Sequence, residues 1–168
     1  MEVVKTKLEG VLLVKPGAFE DFRGHYVETY NEEEYKKQGI TVKFVQDDIS
    51  TSFRDVLRGI HGDEETWKLI SCLRGRLYLV IVNCDKSSKQ FGEWESFVLT
   101  DNNHWQVLVP AKFGNAHLAL TDKIVFHYKQ STYYNRSKQF TYKWDDPRFN
   151  IWWPVKNPIL SERDAGLK

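Results

Sequence analysis

The sequence predicts an all-β fold, a sandwich or barrel formed by a single domain. Three features carry that expectation: period-two alternation over short segments, β-branched and aromatic runs too short for core helices, and turn residues at close intervals. His25-Tyr26-Val27-Glu28-Thr29-Tyr30 alternates as a half-buried strand does. Arg76 to Val82 is a continuous run suited to a strand buried on both faces. Phe97-Val98-Leu99, Trp105 to Val109 and Ile124 to Gln130 read as further strands. Pro16-Gly17, Arg23-Gly24, Asn83 to Ser88, Asp101-Asn102-Asn103 and Lys112-Phe113-Gly114-Asn115 supply the turns between them. One short helix is marked by Asn31 as N-cap, Glu32, Glu33 and Glu34 in the first turn, Lys36 and Lys37 in the last, and Gly39 as the stop. Lys143 to Lys168, rich in Trp and Pro, is expected to pack irregularly or in short helical pieces.

At 168 residues the chain is long enough for one domain with a real core, and no repeat, linker or low-complexity tract divides it. Apolar residues make up 41% and charged residues 28%, the balance of a folded rather than a disordered chain. Lys plus Arg number 24 and Asp plus Glu 23, a net charge of +1 that exerts no global pull toward nucleic acid or an anionic membrane. The longest apolar run, Leu77 to Val82, is far short of the roughly 20 residues a spanning helix needs. The N-terminus shows no apolar stretch of the kind that directs export. Cys72 and Cys84 do not form a disulfide framework, and reduced thiols in a cytoplasm are expected.

Several chemistries lack their motifs. There is no P-loop, no Gly-x-Gly-x-x-Gly, no Gly-x-Ser-x-Gly and no Cys-x-x-Cys. The stretch His61-Gly62-Asp63 lacks the second histidine of a metal-binding barrel motif, which argues against a bound transition metal. What remains is a polar cluster around Arg58-Gly59-Ile60-His61 and Trp67-Lys68. A histidine and a lysine on two strands joined by a turn can face one cavity, as general base and oxyanion stabiliser. Taken alone, the pattern reads more readily as a partly exposed turn histidine at His61 and a surface charge at Lys68.

The wider pattern resembles the dTDP-4-dehydrorhamnose 3,5-epimerase family. The matching stretches are Pro16 to Gly24 with Tyr26 to Tyr30; Phe44 to Asp47 with Ser50; Val56 to His61; Lys68-Leu69; and Phe91 to Trp94. Pro110 to His117, Tyr128-Lys129 with Tyr133-Tyr134, Trp144 to Pro147, Trp153-Pro154 and Leu160 to Asp164 continue the match in order. The resemblance implies a double-layered antiparallel β-barrel of the cupin type, usually a homodimer, acting without metal or other cofactor on a nucleotide-diphosphate 4-keto sugar. It implies His61 as the base next to the ketone, Asp164 as its dyad partner, Lys68 as the enolate stabiliser and Tyr128 as the acid on the opposite face. Arg23 and Arg58 match diphosphate-binding arginines. Glu28 and Gln46 match polar contacts to nucleoside or sugar, Tyr134 an aromatic near the nucleotide, and Phe19 a side chain packing on the base. His117 matches a second active-site histidine, though as a loop histidine it reads equally well as structural. The N-terminal segment that carries Arg23 can cross to a partner subunit in such proteins.

The sequence departs from the family pattern at Asp48, Asp63, Leu79, Asn115 and Leu118, positions expected to sit in the sugar pocket. Leu79 replaces an aspartate that would support a histidine. These departures resemble the branch acting on GDP-linked 4-keto heptoses or deoxyheptoses for capsular polysaccharide, ahead of dTDP-4-keto-6-deoxyglucose. The competing classes are a non-catalytic nucleotide-sugar-binding cupin and a metal-dependent cupin oxygenase.

Overall fold

The computed structural model describes residues 1–167, and its regular secondary structure is almost entirely antiparallel strand. One sheet has six strands in the order β1 (Glu2–Lys5), β2 (Leu12–Lys15), β10 (Gln106–Val109), β7 (Lys68–Arg74), β12 (Lys123–Gln130), β5 (Gln46–Phe53). The second has five, in the order β13 (Phe140–Thr141), β6 (Leu57–Gly62), β11 (Phe113–Ala119), β8 (Arg76–Asn83), β9 (Trp94–Thr100). The two sheets face each other as the layers of a barrel. The space between them holds Ile70, Cys72, Val107, Ile124 and Phe126 from the first sheet against Leu77, Leu79, Ile81, Phe97 and Leu99 from the second.

Both sheets are also covered on their outer faces. The C-terminal segment lays Tyr142, Trp144, Phe149, Ile151 and Trp153 over Leu57, Ile60, Tyr78, Val80 and Leu118. The helix α1 (Glu32–Lys37) drops Tyr35, with Ile40 behind it, onto Val14, Leu69 and Leu108. Two-sided cover explains why β8 reads as an unbroken apolar run and is buried from Leu77 to Asn83. The helix forms as its sequence dictates. The Asn31 side chain accepts from the Glu33 and Glu34 N–H groups, and Gly39 ends it at φ +84°. Among the described residues the C-terminal segment contains no helix, and its indoles anchor it instead: Trp153 Nε1 donates to the Trp144 carbonyl at 2.9 Å.

Two expectations are corrected. The turn expected over Lys112 to Asn115 lies earlier, at Ala111-Lys112, because Phe113, Gly114 and Asn115 lie within β11. Gly114 serves packing there: a Cβ would stand 2.4 Å from Ile60 Cγ2. His25 to Tyr30 is not a half-buried strand of the barrel. Its first part is β4 (Gly24–Val27), paired only with β3 (Ala18–Asp21) in a separate two-stranded hairpin whose side chains are mostly exposed. Alternation alone cannot tell a strand covered by its own chain from one that needs cover from elsewhere.

Candidate active site

A cavity of about 1060 Å³ opens between the two sheets at one end of the barrel. His61 and Arg58 enter it from β6, His117 and Asn115 from β11, Lys68 from β7, Phe126, Tyr128 and Gln130 from β12, and Gln46 and Asp48 from β5. His61 therefore belongs to β6 in one sheet and Lys68 to β7 in the other, so the turn joining them crosses the barrel. Neither matches its isolated reading: His61 is a strand residue, and Lys68 is 8% exposed.

A bulge aims β6. Asn115 pairs with His61 and His117 with Arg58, so two steps along β11 face three along β6. Regular alternation would send residues three apart to opposite sides. The bulge instead turns both Arg58 and His61 inward while Leu57 and Ile60 pack outward. Gly59 makes it possible: it adopts φ +129°, and a Cβ there would stand 2.4 Å from Ala116 Cβ.

The C-terminal tail brings in the partner of His61. Ile159 is tied alongside β6 by Leu57 N–H donating to its carbonyl at 3.0 Å and its own N–H donating to Asp55 at 2.8 Å. Five residues later, Asp164 Oδ1 stands 2.6 Å from His61 Nε2, and Ser161 Oγ donates to Asp164 Oδ2 at 2.8 Å. Burial raises the Asp164 carboxyl, but hydrogen bonds from His61, Ser161 and the Gly59 backbone outweigh burial and hold it below the usual carboxylate range. An anionic Asp164 selects the tautomer with a proton on His61 Nε2 and leaves Nδ1 as the free base.

Burial pulls the Lys68 ammonium down to about 8; the Asp63 carboxylate opposes that and Arg163 adds to it. Lys68 Nζ donates to Asn115 Oδ1 at 3.0 Å and lies 6.0 Å from the centre of the Tyr128 ring. Burial, with Asp48 and Tyr134 nearby, pushes the Tyr128 phenol up to about 12, so it keeps its proton at neutral pH. His117 stacks on Phe126 with ring centres 4.0 Å apart, and neither of its ring nitrogens has a protein partner among the described residues. Burial, then Arg58 and His61, hold it down to about 3, which makes it a neutral imidazole. Leu79 lies directly across from it on β8, so the partner that a carboxylate would supply is absent.

The cavity thus gathers His61, Lys68, Tyr128, Asp164, Arg58, Gln46, Tyr134 and His117, as the sequence led one to expect. Gln46 accepts from the Tyr134 N–H at 2.9 Å and donates to Asp48 Oδ2 at 2.8 Å, joining two of these positions. Arg23, Phe19 and Glu28 are not in its wall. They lie on or beside the exposed β3–β4 hairpin, where the Arg23 guanidinium is held by Asp21 at 2.6 Å. Of the departures expected in the sugar pocket, only Asp48 and Asn115 reach it. The Asp63 carboxylate is spent on the next turn and Gln139, accepting from Glu65 N–H, Thr66 N–H and Gln139 Nε2. Leu79 is in the core between the sheets and Leu118 in the outer cluster. Sequence reasoning missed Ser161, Arg136 and Arg163 in the wall; the serine three residues before Asp164 was the one legible signal. No group of three or more His, Cys, Asp or Glu side chains among the described residues is placed to hold a metal ion.

The chain matches the sequence profile described as dTDP-4-dehydrorhamnose 3,5-epimerase over residues 5–168. It is 37% identical to the dTDP-4-dehydrorhamnose 3,5-epimerase of Methanothermobacter thermautotrophicus, across 98% of this chain and 92% of that protein. Its fold is similar to the crystal structure of dTDP-6-deoxy-D-glucose-3,5-epimerase from Legionella pneumophila in complex with dTDP-4-keto-L-rhamnose, with TM-score 0.93, 31% identity and coverage of 98% and 90% of the two chains. It is similar also to the dTDP-4-dehydrorhamnose 3,5-epimerase of Bacillus anthracis with TDP and PPi bound, with TM-score 0.94, 35% identity and coverage of 97% and 95%.

Proposed function

The chain belongs to the dTDP-4-dehydrorhamnose 3,5-epimerase family of nucleotide-sugar isomerases, and on that premise we propose that it inverts C3, C5 or both of a nucleotide-diphosphate 4-keto sugar, with His61, Asp164, Lys68 and Tyr128 as the reacting groups. The observation that carries this reading is the placement of an imidazole and a phenol on opposite sheets of one cavity, with a buried ammonium beside the phenol.

Inversion needs a proton removed from one face of a carbon and returned to the other. His61 Nδ1 takes the C–H proton, and the bonding pair moves into the ring to form the enolate of the ketone. Asp164 stabilises the imidazolium that results. The charge that develops on the ketone oxygen meets the Lys68 side chain, which burial pulls down to about 8 and which is mainly an ammonium at pH 7. Tyr128 gives its phenolic proton to the carbon from the other wall, the carbonyl re-forms, and both side chains exchange protons with water. Arg58 serves the diphosphate, and Gln46, Tyr134 and neutral His117 hold the sugar and nucleoside.

The hairpin carrying Phe19, Arg23 and Glu28 supports a homodimer in which this segment serves the partner's cavity. Phe19 is 73%, Phe22 98% and Tyr26 67% exposed, an apolar surface that a second copy would cover. A finer reading of the substrate is a GDP-linked 4-keto heptose of capsular polysaccharide synthesis. Asp48, Gln130, Gln139 and Thr141 on the wall offer partners to the extra hydroxyls of a heptose. Buried, protonated thiols at Cys72 and Cys84, each pushed up to about 12 by burial, suit a cytoplasmic enzyme.

Incubation with dTDP-4-keto-6-deoxyglucose and with GDP-linked 4-keto sugars in heavy water tests the reading. Deuterium at C3 or C5 identifies both the carbons and the nucleotide. Tight binding with no exchange in any substrate would make the chain a nucleotide-sugar-binding barrel instead.

A further inference from the structure

We propose that the Asn115 side-chain amide and the Lys68 ammonium act as one oxyanion-binding pair, in which Asn115 Oδ1 positions the ammonium and Asn115 Nδ2 donates to the same substrate oxygen. The inference rests on the reading that Lys68 stabilises the enolate, and extends it to a residue with no role in that reading.

Asn115 lies on β11, paired with His61 on one side and Ile81 on the other, so its strand runs between the base and the core. Its side chain crosses to the opposite sheet, where Lys68 Nζ donates to Oδ1 at 3.0 Å. An ammonium only donates, so the amide must turn its oxygen to the lysine and its nitrogen away. Lys68 is the partner of the Asn115 side chain among the described residues, and Asn115 lines the cavity, so Nδ2 is left for a ligand. Two donors meeting in one cavity, one charged and one neutral, are what an oxygen gaining charge requires.

The environment of Lys68 gives the amide a measurable consequence. Asp63 favours its charged form, Arg163 opposes it, the Tyr128 ring stands beside it from β12, and Asn115 supplies its hydrogen-bond acceptor. His61 on β6 and Arg136 line the same cavity. A hydrogen bond to a charged group in such a site supports that charge by about one pKa unit or more.

The test is an NMR titration of the Lys68 side chain in the intact protein, with the signal assigned by its absence from Lys68→Met. Deuterium uptake into dTDP-4-keto-6-deoxyglucose and a GDP-linked 4-keto sugar is followed alongside. A wild-type midpoint near 8 is expected. In Asn115→Ala the midpoint falls by about one unit, and the alkaline limb of exchange moves down with it. Asn115→Asp, which keeps the shape of the side chain, raises the midpoint. It lowers exchange at least tenfold at every pH, because the neutral donor becomes an acceptor. An unchanged midpoint in both variants, or full exchange in Asn115→Asp, overturns the proposal. If Lys68→Met itself exchanges at the wild-type rate, the enolate role of Lys68 fails; the midpoint shifts then still decide whether Asn115 holds the ammonium.

Discussion

His61 Nε2 and Asp164 Oδ1 meet at 2.6 Å although 103 positions separate them in the chain. The carboxylate is 3% exposed and is held on its other oxygen by Ser161. The contact orients the only imidazole in the cavity with a carboxylate partner, since His117 has none among the described residues.

His61→Asn should abolish deuterium uptake at every carbon of the substrate, a loss of roughly 10²- to 10⁴-fold or more. Asp164→Asn should retain a larger residue, because the imidazole stays but loses its orienting charge. Time courses in heavy water measure both. Wild-type uptake in His61→Asn would remove it as the base.

Tyr128→Phe should separate exchange from inversion. Proton removal persists, since His61, Asp164 and Lys68 remain. The imidazolium can then return a deuteron to the face it came from. The product should carry deuterium with retained configuration at the carbon Tyr128 serves, C5 by the family pattern. Inversion of both carbons at the wild-type rate would leave Tyr128 a structural tyrosine.

His117 should make the protein sensitive to acid. Its folded value of about 3 lies below the ordinary 6.5, so between those values the unfolded chain binds a proton that the folded chain does not. Its contribution is complete above about pH 6.5 and is lost as pH falls toward 3, on the order of a few kcal/mol. His117→Phe, which keeps the stack on Phe126, should flatten urea-unfolding stability across that window. An equal slope in both proteins would assign the acid sensitivity elsewhere.

In the proposed homodimer the β3–β4 hairpin should form the interface. Phe19→Ser with Phe22→Ser removes exposed apolar surface that no other part of the chain covers. Sedimentation should show a shift from dimer to monomer, with turnover falling as Arg23 leaves the partner's site. A wild-type monomer at micromolar concentration with full turnover would contradict this arrangement.

Exhaustive chelation should leave activity intact, because no metal-sized group of ligands is assembled among the described residues. Loss on chelation and recovery with iron or zinc would move the chain to the metal-dependent cupins.

Local signals were read well where local physics decides the outcome. The α1 helix needs only its cap, its charge order and Gly39, all within nine residues, and it forms where those place it. The β8 strand is apolar from Leu77 to Val82 because both faces are covered there, and its sequence says so. The β3–β4 hairpin was misread because alternation records two unlike faces without recording what covers either one. Lys112 to Asn115 was misread because Gly114 answers to the close approach of Ile60 and Cys84, not to a turn.

From its residues alone the chain was legible as β-rich, and its ordered motifs pointed to the family and to most of the side chains that line the cavity. The tertiary structure decided which side chains share a space. Only the bulge in β6 lets Arg58 and His61 face the same cavity, since alternation would separate them. Only the tail running beside β6 brings Asp164 to His61, and only the seating of Asp63 in its own turn removes it from the cavity wall. Hydrogen bonds and burial depend on distance through space. A sequence lists the groups that can make them, while the packing of the two sheets determines which ones meet.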